Sequence, residues 1–151
     1  MSKPKRAVGY GALWSLLQTI PPPAGTKWGT REPRAKAWNK VPPGSQPALF
    51  MQQVIEVASG RKEQGVQTWE WSSLILIYFR ENTIPDKDSW TVANEMMDSV
   101  DMIIQGIPGE YQTLGGVVAD CYIEGTVGLY EGQGDPNQAI IAIPVVILTG
   151  I

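Results

Sequence analysis

Val66-Gln67-Thr68-Trp69-Glu70-Trp71-Ser72-Ser73-Leu74-Ile75-Leu76-Ile77-Tyr78-Phe79-Arg80 is the stretch that decides the fold class. Aromatic and branched residues recur with a period of two, placing Trp69, Trp71, Ile75, Ile77 and Phe79 on one face of a strand. The distal half, LILIYF, is apolar on both faces, so it lies centrally in a sheet or is covered on both sides. At about 3.4 Å per residue such a strand runs about 50 Å, longer than typical strands. Its hairpin tip therefore projects beyond the domain, or the hairpin contains a bulge.

Upstream, residues 47–58 read as a second strand, with Leu49, Met51, Ile55 and Val57 on one face and Gln53 interrupting. Gly60 to Gly65 reads as a turn that closes the two into an antiparallel hairpin. Downstream, 89–105 reads as a helix with Asp88 or Ser89 as its cap, after Pro85 has stopped the strand. Ala93, Met96, Met97, Val100, Ile103 and Ile104 form its apolar stripe, and Glu95, Asp98 and Asp101 its wet face. Gly106 suits the C-terminal cap, with Pro108 beyond. Residues 116–130 read as one strand, with Val117, Ala119, Cys121, Ile123, Val127 and Leu129 pointing one way. A turn over 132–136 leads to a last strand at 138–149, where Pro144 argues for an edge position or a bulge. At the other end, 5–20 reads as a first helix carrying Leu13, Leu16, Leu17 and Ile20, with Val8 extending the stripe. Pro21-Pro22-Pro23 ends it. The expected fold is a single α+β domain over 1–151. Its order is α-β-β-α-β-β, with a mostly antiparallel four-stranded sheet packed against two helices on one face.

Residues 21–46 show no periodicity and hold six prolines and two tryptophans, Trp28 and Trp38. A connection this long inside one domain is functional or disordered. Two indoles are costly to expose, so the loop is expected to be mobile in a free subunit and to order against something.

The chain has 151 residues, long enough to bury roughly 70% of its unfolded surface. Histidine is absent, which removes the commonest general base and metal ligand. A single cysteine, Cys121, excludes an internal disulfide and a Cys-rich zinc site, and fits a reducing compartment. The most apolar run, Ala139 to Ile151, falls short of the ~20 residues of a spanning helix. A soluble cytoplasmic product with no membrane partner is the expectation. Net charge is −3, unevenly spread. Residues 1–40 hold eight Lys and Arg against one acid, giving +7; the rest hold four against fourteen, giving −10. That division reads as a basic loop on an acidic domain, as self-complementary charge between copies, or as a nucleic-acid-binding module using the basic N-terminal segment.

Catalytic constellations are hard to build from this inventory. Cys121 alternates onto an apolar face with no base beside it, so it reads as a structural thiol rather than a nucleophile. Asp120 and Glu124 share a strand face but stand ~13 Å apart along it, too far for concerted acid–base work. Gly60 to Gly65 and Gly128 to Gly134 lack the phosphate-loop pattern. Glu95, Asp98 and Asp101 lie within a helix, not in a calcium loop. No enzyme activity, cofactor, metal or small-molecule substrate is expected.

Two segments carry a family resemblance. Trp38-Asn39-Lys40-Val41-Pro42-Pro43-Gly44-Ser45-Gln46-Pro47-Ala48-Leu49-Phe50 resembles the W-x-x-V-P-x-x-x-Q-P-A-L-F stretch of minor tail proteins of the gpU-like tail-terminator group of long-tailed bacteriophages. Gln112-Thr113-Leu114-Gly115-Gly116, followed by Cys121-Tyr122-Ile123-Glu124-Gly125, is similar to the Q-T-L-G-G…C-x-I-E-G segment of the same proteins. The resemblance is loose over 1–36. It implies a structural virion protein at the head-proximal end of the tail, assembled in the host cytoplasm. Such a protein forms a ring, usually a homo-hexamer, that binds the last ring of tail tube protein, stops tube polymerisation and offers a surface to the head-side connector or neck protein. A ring needs patch A of one copy to meet patch B of the next. On this reading the partner-interface candidates are Lys27, Trp28, Arg31, Arg34, Lys36 and Trp38 of the loop, and Arg61, Lys62 and Glu63 of the hairpin tip. Another head–tail joining protein, of the neck or connector-stopper kind, is the competing reading within the same class.

Overall fold

The computed structural model describes residues 3–150 except 64–65, 82–83, 85–86 and 133–134; at 59–63 and 66 it describes the backbone alone. Two helices and a six-stranded mixed sheet make up the domain. In chain order these are α1 (Arg6–Leu17), β1 (Thr30–Glu32), β2 (Ala48–Glu63), β3 (Val66–Arg80), α2 (Ser89–Gln105), β4 (Asp120–Ile123), β5 (Gly128–Glu131) and β6 (Gln138–Thr149). Laterally the strands run β1-β2-β3-β6, with β4 and β5 end to end along the outer side of β6. The α+β class is as the sequence predicts. The sheet has six strands rather than four, because β1 adds a short parallel strand beside Ala48–Phe50 and the expected 116–130 strand is two strands.

The hairpin of β2 and β3 forms in register from Ala48↔Tyr78 to Glu63↔Val66. The strand β2 continues past Gly60 to Glu63, and 64–65, the rest of the turn predicted over 60–65, lie outside the described residues. Two register shifts break the ladder, between Gln53 and Ile55 and between Ser59 and Glu63. The first one moves the alternation by one residue. Ile55 and Val57, expected on the core face with Leu49 and Met51, are instead 59% and 49% exposed, and Glu56 takes the helix-facing position opposite Trp71.

The doubly apolar half of β3 is central, flanked by β2 and β6. Its odd residues, with Leu49, Met51 and the odd residues of β6, meet both helices in the main core. From α1 come Tyr10, Leu13 and Leu17, with Ile20 just beyond; Val8 is exposed, contrary to the predicted stripe. From α2 come Val92, Ala93, Met96, Val100 and Ile104, with Met97 and Ile103 half-buried at the margin. Asp88 occupies the N-cap position of α2 without a side-chain hydrogen bond. Gly106, at φ 62°, donates its N–H to the Met102 carbonyl and ends the helix. Among the described residues no helix is long and apolar enough to cross a membrane.

Pro144 does not sit at a sheet edge. It lies opposite Leu74 in β6, between the stretch paired to β5 and the stretch paired to β4. The Pro144 carbonyl accepts from Glu124 N–H at 3.3 Å, so the nitrogen of the same residue also faces the outer side. The missing donor therefore falls where the outer strand is interrupted, and β3 loses nothing. Gly125, at φ 118°, passes beside the ring, and a Cβ there would approach Pro144 Cγ to 3.1 Å. This interruption is why 116–130 is not one strand. Residues 113–118 instead form a turn, with Gly116, Val117 and Val118 N–H all donating to the Thr113 carbonyl.

Candidate interaction surface

The proline-rich segment is a strap around the β1 edge of the sheet. Trp28 packs against the main core and its indole donates to the Ile20 carbonyl at 3.0 Å. Gly29 then crosses Ser45 so closely that a Cβ would lie 2.4 Å from the Ser45 carbonyl carbon; only glycine fits. Its N–H donates to Pro47 O at 2.8 Å, and Thr30–Glu32 pair with β2. The strap continues onto the sheet's second face. There Ala35, Trp38 and Val41 cover Ala48, Phe50, Tyr78, Leu76 and Ile140 in a small second core. The Tyr78 hydroxyl donates to the Lys36 carbonyl and fixes the strap to that face.

The strap's indoles are thus turned inward, and its cations outward. Lys27, Arg31, Arg34, Lys36 and Lys40 are all exposed. Arg31 donates to the Gln18 carbonyl at 3.1 Å, and Lys36 pairs with Glu32 at 3.0 Å. Lys27, Arg34 and Lys40 make no ion pair among the described residues. Arg61, Lys62 and Glu63 belong to the opposite end of β2, so the structure does not bring them to the strap, and their side chains lie outside the described residues.

Along the hairpin, α1 supplies a separate cluster. Arg6 pairs with Glu56 at 2.7 Å, Tyr10 donates to Glu56 at 2.9 Å, and Tyr10 stacks on Trp71 with centroids 5.0 Å apart. Lys3 and Arg6 sit over the Trp69 and Trp71 rings at 5.3–5.9 Å. Burial, and then the Glu56 carboxylate, push the Tyr10 hydroxyl well above the usual phenol range. Part of the basic N-terminus is therefore spent inside the domain.

The second face of the sheet is only partly covered. Register defines its rows across the strands: Val57, Glu70, Leu148 and Asp120; then Ile55, Ser72, Val146 and Tyr122; then Leu74 beside Pro144. Leu74, Pro144, Val146 and Leu148 belong to neither core. These rows form an apolar surface, with Ile55 and Val57 the most exposed. Its rim is acidic. The Tyr122 hydroxyl is raised by burial first, then by Glu124, Glu70 and Asp120, which places three carboxylates around it. The sequence did not flag this face. The signal was present in the even residues of β6, Ile140, Ala142, Pro144, Val146 and Leu148, which are apolar like the odd ones.

Two clefts border the face. One of about 570 Å³ opens between Thr68, Tyr111, Val118 and Leu148. Another of about 430 Å³ lies beside α2, lined by Asp101, Glu110, Asp120 and Cys121. Burial, and then the Asp120 charge, push the Cys121 thiol up to about 12, so it stays protonated and unreactive at neutral pH. Burial and the neighbouring Asp98 raise Asp101.

In comparisons with known proteins, no family model matches the chain, and no curated protein matches it significantly.

Proposed function

We propose that the chain is a ring-forming tail terminator of a long-tailed bacteriophage. In this role it caps the tail tube, stops tube polymerisation and presents a surface for head attachment. The observation that carries the reading is the pair of segments resembling that family, each of which sits at a structural junction. In the first, Gln46 precedes a cis bond to Pro47 and binds Gln138, tying the strap to the start of β2 and β6. In the second, the Gln112 amide donates to Ile104 O and its oxygen accepts Leu114 N–H, closing α2 onto the turn that starts β4. Both segments thus shape the surfaces through which a collar would assemble. Supporting the reading further, the cations of the strap point outward while the acids crowd the second sheet face, giving unlike patches of the kind a heterologous interface uses.

The test is polymerisation of purified tail tube protein with and without this chain, followed by electron microscopy. Capped tubes of arrested length, bearing a ring at one end, are the expected result. Tubes that grow unchanged, with no ring at any protein concentration, overturn the reading.

A further inference from the structure

We infer that the partly covered apolar rows of the second sheet face, open at Ile55 and Val57, are the docking site for the basic strap of a second copy of this chain. The inference rests on the ring reading and names the two patches that such a ring would join. The face is apolar, exposed at Ile55 and Val57, half-buried at Leu74 and Leu148 and floored by the buried Val146, and Glu70, Asp120 and Glu124 surround its Tyr122. A monomer does not satisfy this face from its own strap. Tyr78, which holds the strap through Lys36, lies eight residues along β3 from Glu70, or about 27 Å at ~3.4 Å per residue. Lys27, Arg34 and Lys40 of the strap, which make no ion pair among the described residues, are exposed at the far end.

Charge complementarity selects the occupant. The face is acidic at its rim and apolar in the middle. The strap offers cations flanked by Pro33, Ala37, Pro42 and Pro43, small or ring-closed exposed residues that lose little side-chain entropy on docking. Face and strap are different patches, so each copy gives one and receives one. Contacts of this kind propagate from copy to copy and end only when the rotation closes a ring. A two-fold pair would instead stop at two copies.

The experiment uses the full chain and two variants. One carries Glu70→Lys and Glu124→Lys on the face; the other carries Arg34→Ala and Lys40→Ala on the strap. Circular dichroism checks folding, and sedimentation velocity reads assembly, alone and on tube ends. The wild-type chain should pass beyond two copies, and each variant alone should lose association by at least tenfold. A 1:1 mixture should form pairs that grow no further, because only one intact face and one intact strap remain per pair. Should the face variant not fold, zero-length carbodiimide cross-linking of mixed ¹⁵N and ¹⁴N wild-type copies decides. It should join Lys36 or Lys40 of one copy to Glu70 or Glu124 of another. Rings that form equally well with the face variant, or rings without that cross-link, overturn the inference and leave the tail-terminator reading standing; wild-type assembly that stops at two copies, alone and on tube ends, overturns both. Docking through this face with tubes that still grow unchecked upholds the inference and removes the terminator reading. A chain that stays monomeric at every concentration and on tube ends removes both.

Discussion

The side-chain amides of Gln46 and Gln138 donate to each other, at 3.0 and 3.1 Å, across 92 residues of chain. Gln138 is 2% exposed and also donates to the carbonyls of Phe79 and Ala139; Gln46 donates to Val41 O. Replacing Gln46 by alanine leaves the buried Gln138 oxygen without its partner. The expected cost is about 1–3 kcal/mol, read as a lower denaturation midpoint at unchanged slope. A midpoint equal to wild type would show that the pair contributes nothing net.

Two glycines of α1 should respond to alanine with opposite signs. At Gly9 a Cβ would lie 2.6 Å from Cζ3 of Trp71, a fully buried ring held by the Tyr10 stack. Overpacking there costs about 1–3 kcal/mol, more than the roughly 1 kcal/mol that alanine contributes by helix propensity. At Gly11 nothing lies within 4 Å, so Gly11→Ala should stabilise by about 0.5–1 kcal/mol. Thermal melts of the two variants side by side check the sign.

The strand assignments show what a sequence carries and what it does not. The span of β3 and its central position follow from LILIYF, because a segment apolar on both faces has no wet side to offer. The α2 stripe follows from spacing alone. The bulge before Ile55 is not legible. It moves Glu56 inward because Arg6 and Tyr10 are waiting there, and those partners lie about 50 residues away in sequence. Pro144 misleads for a similar reason: a proline excludes one donor, but only the tertiary structure says which side of the strand that donor would have faced. For the candidate surface, the strap's cations were legible as charge. The face that we pair them with was not, since alternation identifies a wet face by polarity and this one is apolar.

Stability should fall in alkali. Cys121, Tyr10, Tyr78 and Tyr122 all have folded-state pKa values above their ordinary ones, with burial as the first cause. The unfolded chain therefore releases protons that the native one keeps. The stabilisation is complete below the unfolded values, about 8.5 for the thiol and about 10 for the phenols, and is lost as pH rises through the folded ones. The buried Cys121 thiol adds a slope of up to about 1.4 kcal/mol per pH unit, and the mostly solvent-exposed Tyr122 hydroxyl adds far less because water screens it. Urea midpoints between pH 8 and 11 should decline, and Cys121→Ala should remove the part of the decline that begins first. A flat profile would contradict the burial of these groups.

Neutralising Arg31, Arg34 and Lys36 together should weaken association while leaving the domain folded. Their contacts are a hydrogen bond to Gln18 O and an exposed pair with Glu32, the latter contributing about 0–1 kcal/mol. Sedimentation with circular dichroism checks both halves of the statement, and unchanged assembly refutes the first.

Amide exchange tests the expectation that the strap is free before assembly. Gly29 N–H bonded to Pro47 O and the Trp28 indole bonded to Ile20 O should exchange slowly in a dilute monomer, while residues 33–37 exchange fast. Fast exchange at Gly29 would mean that the strap lies down only when a partner arrives.

The placement of Pro144 has a bearing on solubility. By dividing the outer flank of β6 into two four-residue pieces, it denies a passing chain the long uninterrupted ladder on which fibrils are seeded. On the other flank, β1 shields only Ala48–Phe50, and among the described residues no strand pairs with the rest of β2 on that side. Any amyloid-like deposit from this protein should therefore nucleate along β2, and a gatekeeper lysine at Val54 is the substitution to try first when the protein is made at high concentration.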